Sequence, residues 1–228
     1  MTSIEQLVDR QVRKWASETQ QVHGPPPRWP VITVSRAYGS RGGELAARVA
    51  DKLGFELWDR RIVEAIASSA SLRRHVVESL DDKVPGRAVW LSERFERGYF
   101  SRDDYLSHLA AVIDAIARHG RAVILGRGAH MMIAPANALR VRVTAALEPR
   151  VAWIARHEGL SMEDARARAL RIDAERRAFA EHHFGVELDD PAYFDLVLST
   201  DVLSLERAVE LVIDLFRQRF GDRSSVAA

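Results

Sequence analysis

From residue 31 onward the chain alternates short apolar runs with longer amphipathic stretches, and this alternation leaves few folds open. The apolar runs fall at 31–35, 55–58, 122–126, 139–145 and 194–199. Helical patterns occupy 44–53, 61–70, 105–119, 148–157, 161–183 and 204–220. Runs with successive apolar residues, such as AVIL, suit strands covered on both faces. Strand, helix and strand in repeated order predict an α/β fold with a five-stranded parallel sheet and right-handed crossovers. The last helix shows its inward stripe on Leu205, Ala208, Val209, Val212, Ile213 and Phe216. Two segments break the alternation: 71–104, polar and aromatic, and 161–184, rich in arginine. In a doubly wound sheet such additions lie over the carboxyl ends of the strands, so a flap and a lid-like helix are expected there.

Ahead of this domain (31–220), Ile4, Leu7, Val8, Val12 and Trp15 share one face of a helix predicted over 4–20. The stretch HGPPPRWP then imposes an extended connector, completing an appendage over 1–30. That helix is expected to pack on the domain or on a second subunit, as in a homodimer. Residues 221–228 read as a tail.

The 228 residues suffice for one domain with an appendage. A net charge of +1, from 33 basic and 32 acidic side chains, gives no global field that draws nucleic acid or an anionic membrane. No run approaches the ~20 apolar residues of a membrane span. With no cysteine, disulfides and thiolate metal sites are excluded. A cytoplasmic protein is expected.

The stretch SRAYGSRGGELA begins at Ser35 and joins the first strand to its helix through a glycine-bearing loop. This is the layout of a phosphate-binding loop, G-x-x-x-x-G-K-[ST], without its lysine. Counted from the strand, Arg36 and Arg41 fill the two glycine slots and Gly42 fills the lysine slot. Glycines let a ligand approach the backbone, and a helix start offers free amides and a positive dipole. Arginine can replace lysine with a two-pronged grip on phosphate. The expected anion-binding set is Arg36, Gly39, Ser40, Arg41, Gly42, Gly43 and Glu44. Glu44 stands where many such loops have a magnesium-touching threonine, and it also complements the helix dipole. A tight turn without ligand is the alternative.

On these residues the chain resembles the cytidylate-kinase-like family of P-loop proteins. It is most similar to a divergent branch whose loop reads approximately SREYGSGGREIA. ADKLGFELWDRRIVEAIA, AVILGRGAHMMI and FDLVLSTDVLSLERAVELVI fit the same branch. The resemblance implies a nucleoside-monophosphate-kinase-like three-layer fold, with 71–104 as the acceptor-side flap. It also implies phosphoryl transfer from ATP with Mg2+ to a nucleoside monophosphate, CMP or dCMP. Arg127 matches the arginine of the family's Gly-Arg-Asp, while the aspartate has become Gly128. Asp59 matches an acidic residue near the acceptor, and equally caps the next helix. RIDAERRA stands against the family's lid, RDDRDRNR. Arg171, Asp173, Glu175 and Arg176 align, Ala178 replaces the last arginine, and Arg177 lies one place earlier. Arg127, Arg171, Arg176 and Arg177 are therefore the expected catalytic set, and Asp59, Arg127 and Glu175 the acceptor-binding set. No protein ligand for a metal is evident, since His182 and His183 lack the spacing. A nucleotide-binding protein without transfer, or a kinase for another small acceptor, are the rival readings.

Overall fold

The computed structural model describes residues 4–20, 30–72, 76 and 104–221. The expected connector and most of the 71–104 flap lie outside the described residues, as does the tail beyond 221. The elements are α1 (Ile4–Gln20), β1 (Val31–Arg36), α2 (Gly42–Leu53), β2 (Glu56–Trp58), α3 (Arg60–Ser68), α4 (Asp104–His119), β3 (Ala122–Leu125), α5 (Ala129–Met132), β4 (Ala138–Thr144), α6 (Leu147–Glu158), α7 (Met162–Phe184), β5 (Leu196–Ser199) and α8 (Leu205–Phe220). Each expected strand and helix is present, and α5 is an additional single turn.

The sheet has five strands in the order β2-β3-β1-β4-β5, every pairing parallel. Ile32 and Val34, Val123 and Leu125, and Leu139, Val141 and Val143 face α2 and α8, forming one core. Ala122, Ile124 and Ala138 face the other way, against α3, α4 and α5. Polar side chains interrupt this second face towards the strand ends: Thr33 and Ser35 on β1 are buried, as is Arg142 on β4. A period of two makes them one polar strip beneath one side of the sheet.

The α6–α7 hairpin has a small core of its own, Val151, Ile154, Ala165 and Ala169, against which Tyr38 packs. Ser161 caps α7 by accepting from the Asp164 amide at 3.0 Å. On α1, Val8 and Trp15 are buried, and Trp15 stacks on His119 at 3.8 Å and on Trp58 at 5.6 Å. Among the described residues no helix is long and apolar enough to cross a membrane.

Candidate active site

The loop between β1 and α2 is tied down by β4. Ala37 donates its amide to the Val143 carbonyl at 2.9 Å. The Ser40 hydroxyl, fully buried, lies 2.9 Å from the Ala37 carbonyl and 3.1 Å from that of Val143. Ser40 thus braces the loop from within, its hydroxyl committed to these two carbonyls. Gly39 has φ 79°, and a Cβ there would lie 2.8 Å from Ile154 Cδ1. Arg41 has φ 59° and ψ 13°, the left-handed conformation, at a slot that a Walker loop gives to glycine. Its guanidinium turns back onto Glu44, with Nε 3.0 Å from Oε2, and Arg48 reaches the same carboxylate at 2.7 Å. The bond from Arg41 holds the Glu44 carboxyl below its usual range. Arg41 and Glu44 largely neutralise each other. What remains open at the loop is the first turn of α2, where Gly42, Gly43 and Glu44 have amides without intrahelical acceptors.

Beside the loop, at the carboxyl ends of β1 and β3, lies a cleft of about 130 Å3. Arg36, Arg60, Arg127 and Arg176 line it, with Phe179 and Phe184 as its apolar wall. Arg36 lays its guanidinium across Gly126, whose φ is 83° and where a Cβ would collide with Nη1. Burial pushes the Arg36 pKa down to about 9, and the charges of Arg176, Arg60 and Arg127 add to this, with Asp59 opposing. Arg127, at φ 55°, pairs through Nη2 with Glu64 on α3. Its guanidinium stands 5.1 Å from the Phe179 ring centre, and its Nε is buried without a hydrogen-bond partner. Arg60 also holds Glu64, Nε to Oε2 at 3.1 Å. Arg176 donates to the Arg36 carbonyl at 2.8 Å. Four guanidinium groups therefore converge where an anion would relieve their mutual repulsion and supply a missing acceptor.

Behind them, Arg142 donates to Ser35 Oγ at 2.8 Å and pairs with Asp189. His130, also on the cleft, stacks on Phe194 at 4.8 Å. Burial, then Arg142 and Arg140, push its pKa down to about 3, so the imidazole is neutral. Sequence reasoning did not single out Arg60, Arg142 or His130. One signal was present in β4, ALRVRVT, where arginines alternate with apolar residues in a central strand. A charge buried in that way needs a built partner.

Asp59 caps α3, accepting from the Ile62 amide at 2.9 Å. Arg171 and Glu175 pair at 2.7 Å on the exposed side of α7, with Glu175 at the rim of the cleft. Arg177 is exposed and outside the cleft lining. Gly128 has φ 66°, and a Cβ there would strike the Phe184 ring, so an aspartate at this position has no room. Among the described residues no group of three His, Asp or Glu side chains could hold a metal ion. Among the described residues the carboxylates nearest the loop are engaged: Glu44 by arginines, Asp59 by its cap, Asp173 by Arg150. The described donor set does not fit a protein-built magnesium site.

A parallel sheet in this order, with a glycine-bearing loop between its first strand and α2, defines a P-loop kinase fold. The cytidylate kinase-like family model matches residues 31–202, and the chain belongs to that family. It is 27% identical over 216 residues to the cytidylate kinase of Bordetella bronchiseptica, covering 82% of this chain and 95% of that protein. It is 32% identical over 99 residues to the cytidylate kinase of Pyrobaculum aerophilum, where the match covers 43% of this chain and about half (53%) of the relative. A crystal structure of an uncharacterized protein from Eubacterium ventriosum shares the fold, with a TM-score of 0.67 at 16% identity, covering 83% of this chain and 98% of that one.

Proposed function

We propose that this protein transfers the γ-phosphoryl group of ATP to a nucleoside monophosphate, with CMP or dCMP as the acceptor. The observation that carries this reading is the convergence of Arg36, Arg60, Arg127 and Arg176 on one cleft beside the loop. An oxygen of the acceptor's phosphate attacks the γ-phosphorus, the bond from that phosphorus to the bridging oxygen of ADP breaks, and the products are ADP and a nucleoside diphosphate. Such transfer requires positioning and neutralisation of spread negative charge, with little covalent help from the protein.

The residues divide that work. The amides of Gly42, Gly43 and Glu44 hold donor phosphate, with Gly39 and Ser40 keeping the loop in shape. Arg127 and Arg60 hold the acceptor's phosphate, which satisfies the orphan Nε of Arg127. Arg36 lies between the two and supplies the cation that a Walker loop draws from lysine. Arg176 completes the charge on the lid side, with Arg171 and Arg177 as outer contacts of α7. Family membership implies an ATP–magnesium donor in general; here the chain itself contributes guanidinium charge and no assigned metal ligand. The neutral His130 and the rings of Phe179 and Phe184 keep the cleft short of water, which limits wasteful hydrolysis.

One observation favours binding without transfer: residue 42 has no space for a side chain. Incubation with ATP–Mg2+ and a panel of CMP, dCMP, UMP and AMP separates the readings. Formation of the matching diphosphate, fastest with CMP or dCMP, is the expected result. Nucleotide binding without any diphosphate contradicts the proposal and selects the second reading.

A further inference from the structure

The middle of the loop is gripped from the lid hairpin at every polar atom of one residue. The Tyr38 amide donates to Asp173 Oδ1 at 2.8 Å. The Tyr38 carbonyl accepts from Arg150 Nη1 at 2.8 Å, and that same nitrogen lies 2.6 Å from Asp173 Oδ2. Arg150 is itself fixed by donating through Nε to the Ala145 carbonyl at 3.0 Å. The phenol hydroxyl donates to Glu158 and accepts from Arg168 Nε at 3.3 Å. The ring packs on the hairpin's own core, and the Arg176 guanidinium lies 5.6 Å from its centre. Asp173 is buried, and Arg176 is its neighbour at 3.7 Å.

We infer that Asp173 and Arg150 are positioning residues which lock the lid hairpin to the phosphate loop through the Tyr38 peptide. This rests on the cleft being the acceptor site. Both arginines that face the acceptor from this side depend on the lock. Arg176 sits three residues from Asp173 on α7, and Arg36 begins the loop that Tyr38 continues, its carbonyl bonded to Arg176. Loop and lid are then one preassembled unit, and closure moves the two together. The Tyr38 amide, already satisfied by a carboxylate, is withdrawn from donor binding, which confines donor phosphate to the first turn of α2. A buried, charge-assisted pair of this kind is costly to break from one side, so it holds a single geometry. Misplacing a catalytic group by 1 Å costs on the order of a hundredfold in rate.

The test combines hydrogen exchange at the Tyr38 amide, read by NMR, with steady-state transfer to CMP in wild-type, D173A, D173N and R150K proteins. The Tyr38 amide should be protected in the wild type and exchange at least about tenfold faster in D173A. D173A should lose about a hundredfold in kcat with KM for CMP changed less than about threefold. D173N keeps an oxygen for the amide and should fall between. The double variant D173N/R150K should be little worse than D173N, because the two act as a unit. D173N and R150K carry the test if D173A does not fold. Wild-type kcat in the folded variants, or rapid Tyr38 exchange in the wild type, overturns the inference. If the wild type transfers nothing, the kinase reading falls. The lock is then judged by exchange alone: supported by protection lost in D173A or D173N, overturned by its absence.

Discussion

Arg36 stands where a side chain on Gly42 would have to be. A Cβ on Gly42 would lie 2.6 Å from Arg36 Cβ and 3.1 Å from Val143 Cβ. The slot that a Walker loop gives to lysine therefore has no room for a side chain here, and on the proposed reading Arg36 supplies the cation from the strand end. G42K should not rebuild a Walker loop. It should destabilise the protein by about 1–3 kcal/mol, as overpacking does, and lower transfer. Thermal melts and initial rates check this; a stable, faster G42K would show that the slot is open.

Gly128 and Gly54 make a matched pair, with φ of 66° and 64°. Nothing lies within 4 Å of a Cβ at Gly54, whereas Phe184 occupies that place at Gly128. G54A should lose only the cost of the left-handed conformation, about 1 kcal/mol. G128A should lose that plus the clash, about 2–4 kcal/mol in all. Chemical denaturation of the two variants measures the difference directly.

Arg127 and Arg177 should separate cleanly in function. Arg127 is half-buried on the cleft with an unpartnered, buried Nε, while Arg177 is exposed beyond it. R127A should lower kcat/KM for the acceptor by about 10²–10³-fold, the scale of a lost preorganised charge contact. R177A should stay within about twofold, as exposed charges usually do. Kinetics with CMP varied at saturating ATP give both numbers.

Two histidines set an acid limit on stability. Burial pushes His119 down to about 4 and His130 to about 3, against 6.5 for the free side chain. Between those values the unfolded chain binds protons that the folded chain refuses, so stability rises with pH across this window. Falling pH should destabilise the protein progressively from about 6.5 towards 4. H119F should flatten this limb in urea melts taken at pH 4.5, 5.5 and 7. An unchanged limb would place the acid sensitivity elsewhere.

The fold was readable because its signals are local. The run VITV and the stripe from Leu205 to Phe216 each state their period within a few residues, and both elements form as read. Helix α5 was not readable, since AHMM is a single turn held by burial and by a loop at positive φ. Site chemistry was legible only as residue types. Arg36, Arg127 and Arg176 could be named as cations, but not that Arg41 folds onto Glu44 or that Arg36 fills the space over Gly126. The Asp173–Tyr38 contact joins positions 135 residues apart. Such pairings are made by the sheet's crossovers and leave no periodic trace. Phe184 likewise explains Gly128 only once α7 is seen to end beside it.

The most direct test compares R36A with R41A in transfer from ATP–Mg2+ to CMP, with melts to confirm folding. Expected are CMP-dependent turnover in the wild type, a loss of at least about a hundredfold in R36A, and a much smaller change in R41A, whose charge already answers Glu44. Turnover undiminished in R36A, or lost in R41A instead, would contradict the claim that Arg36 replaces the missing lysine.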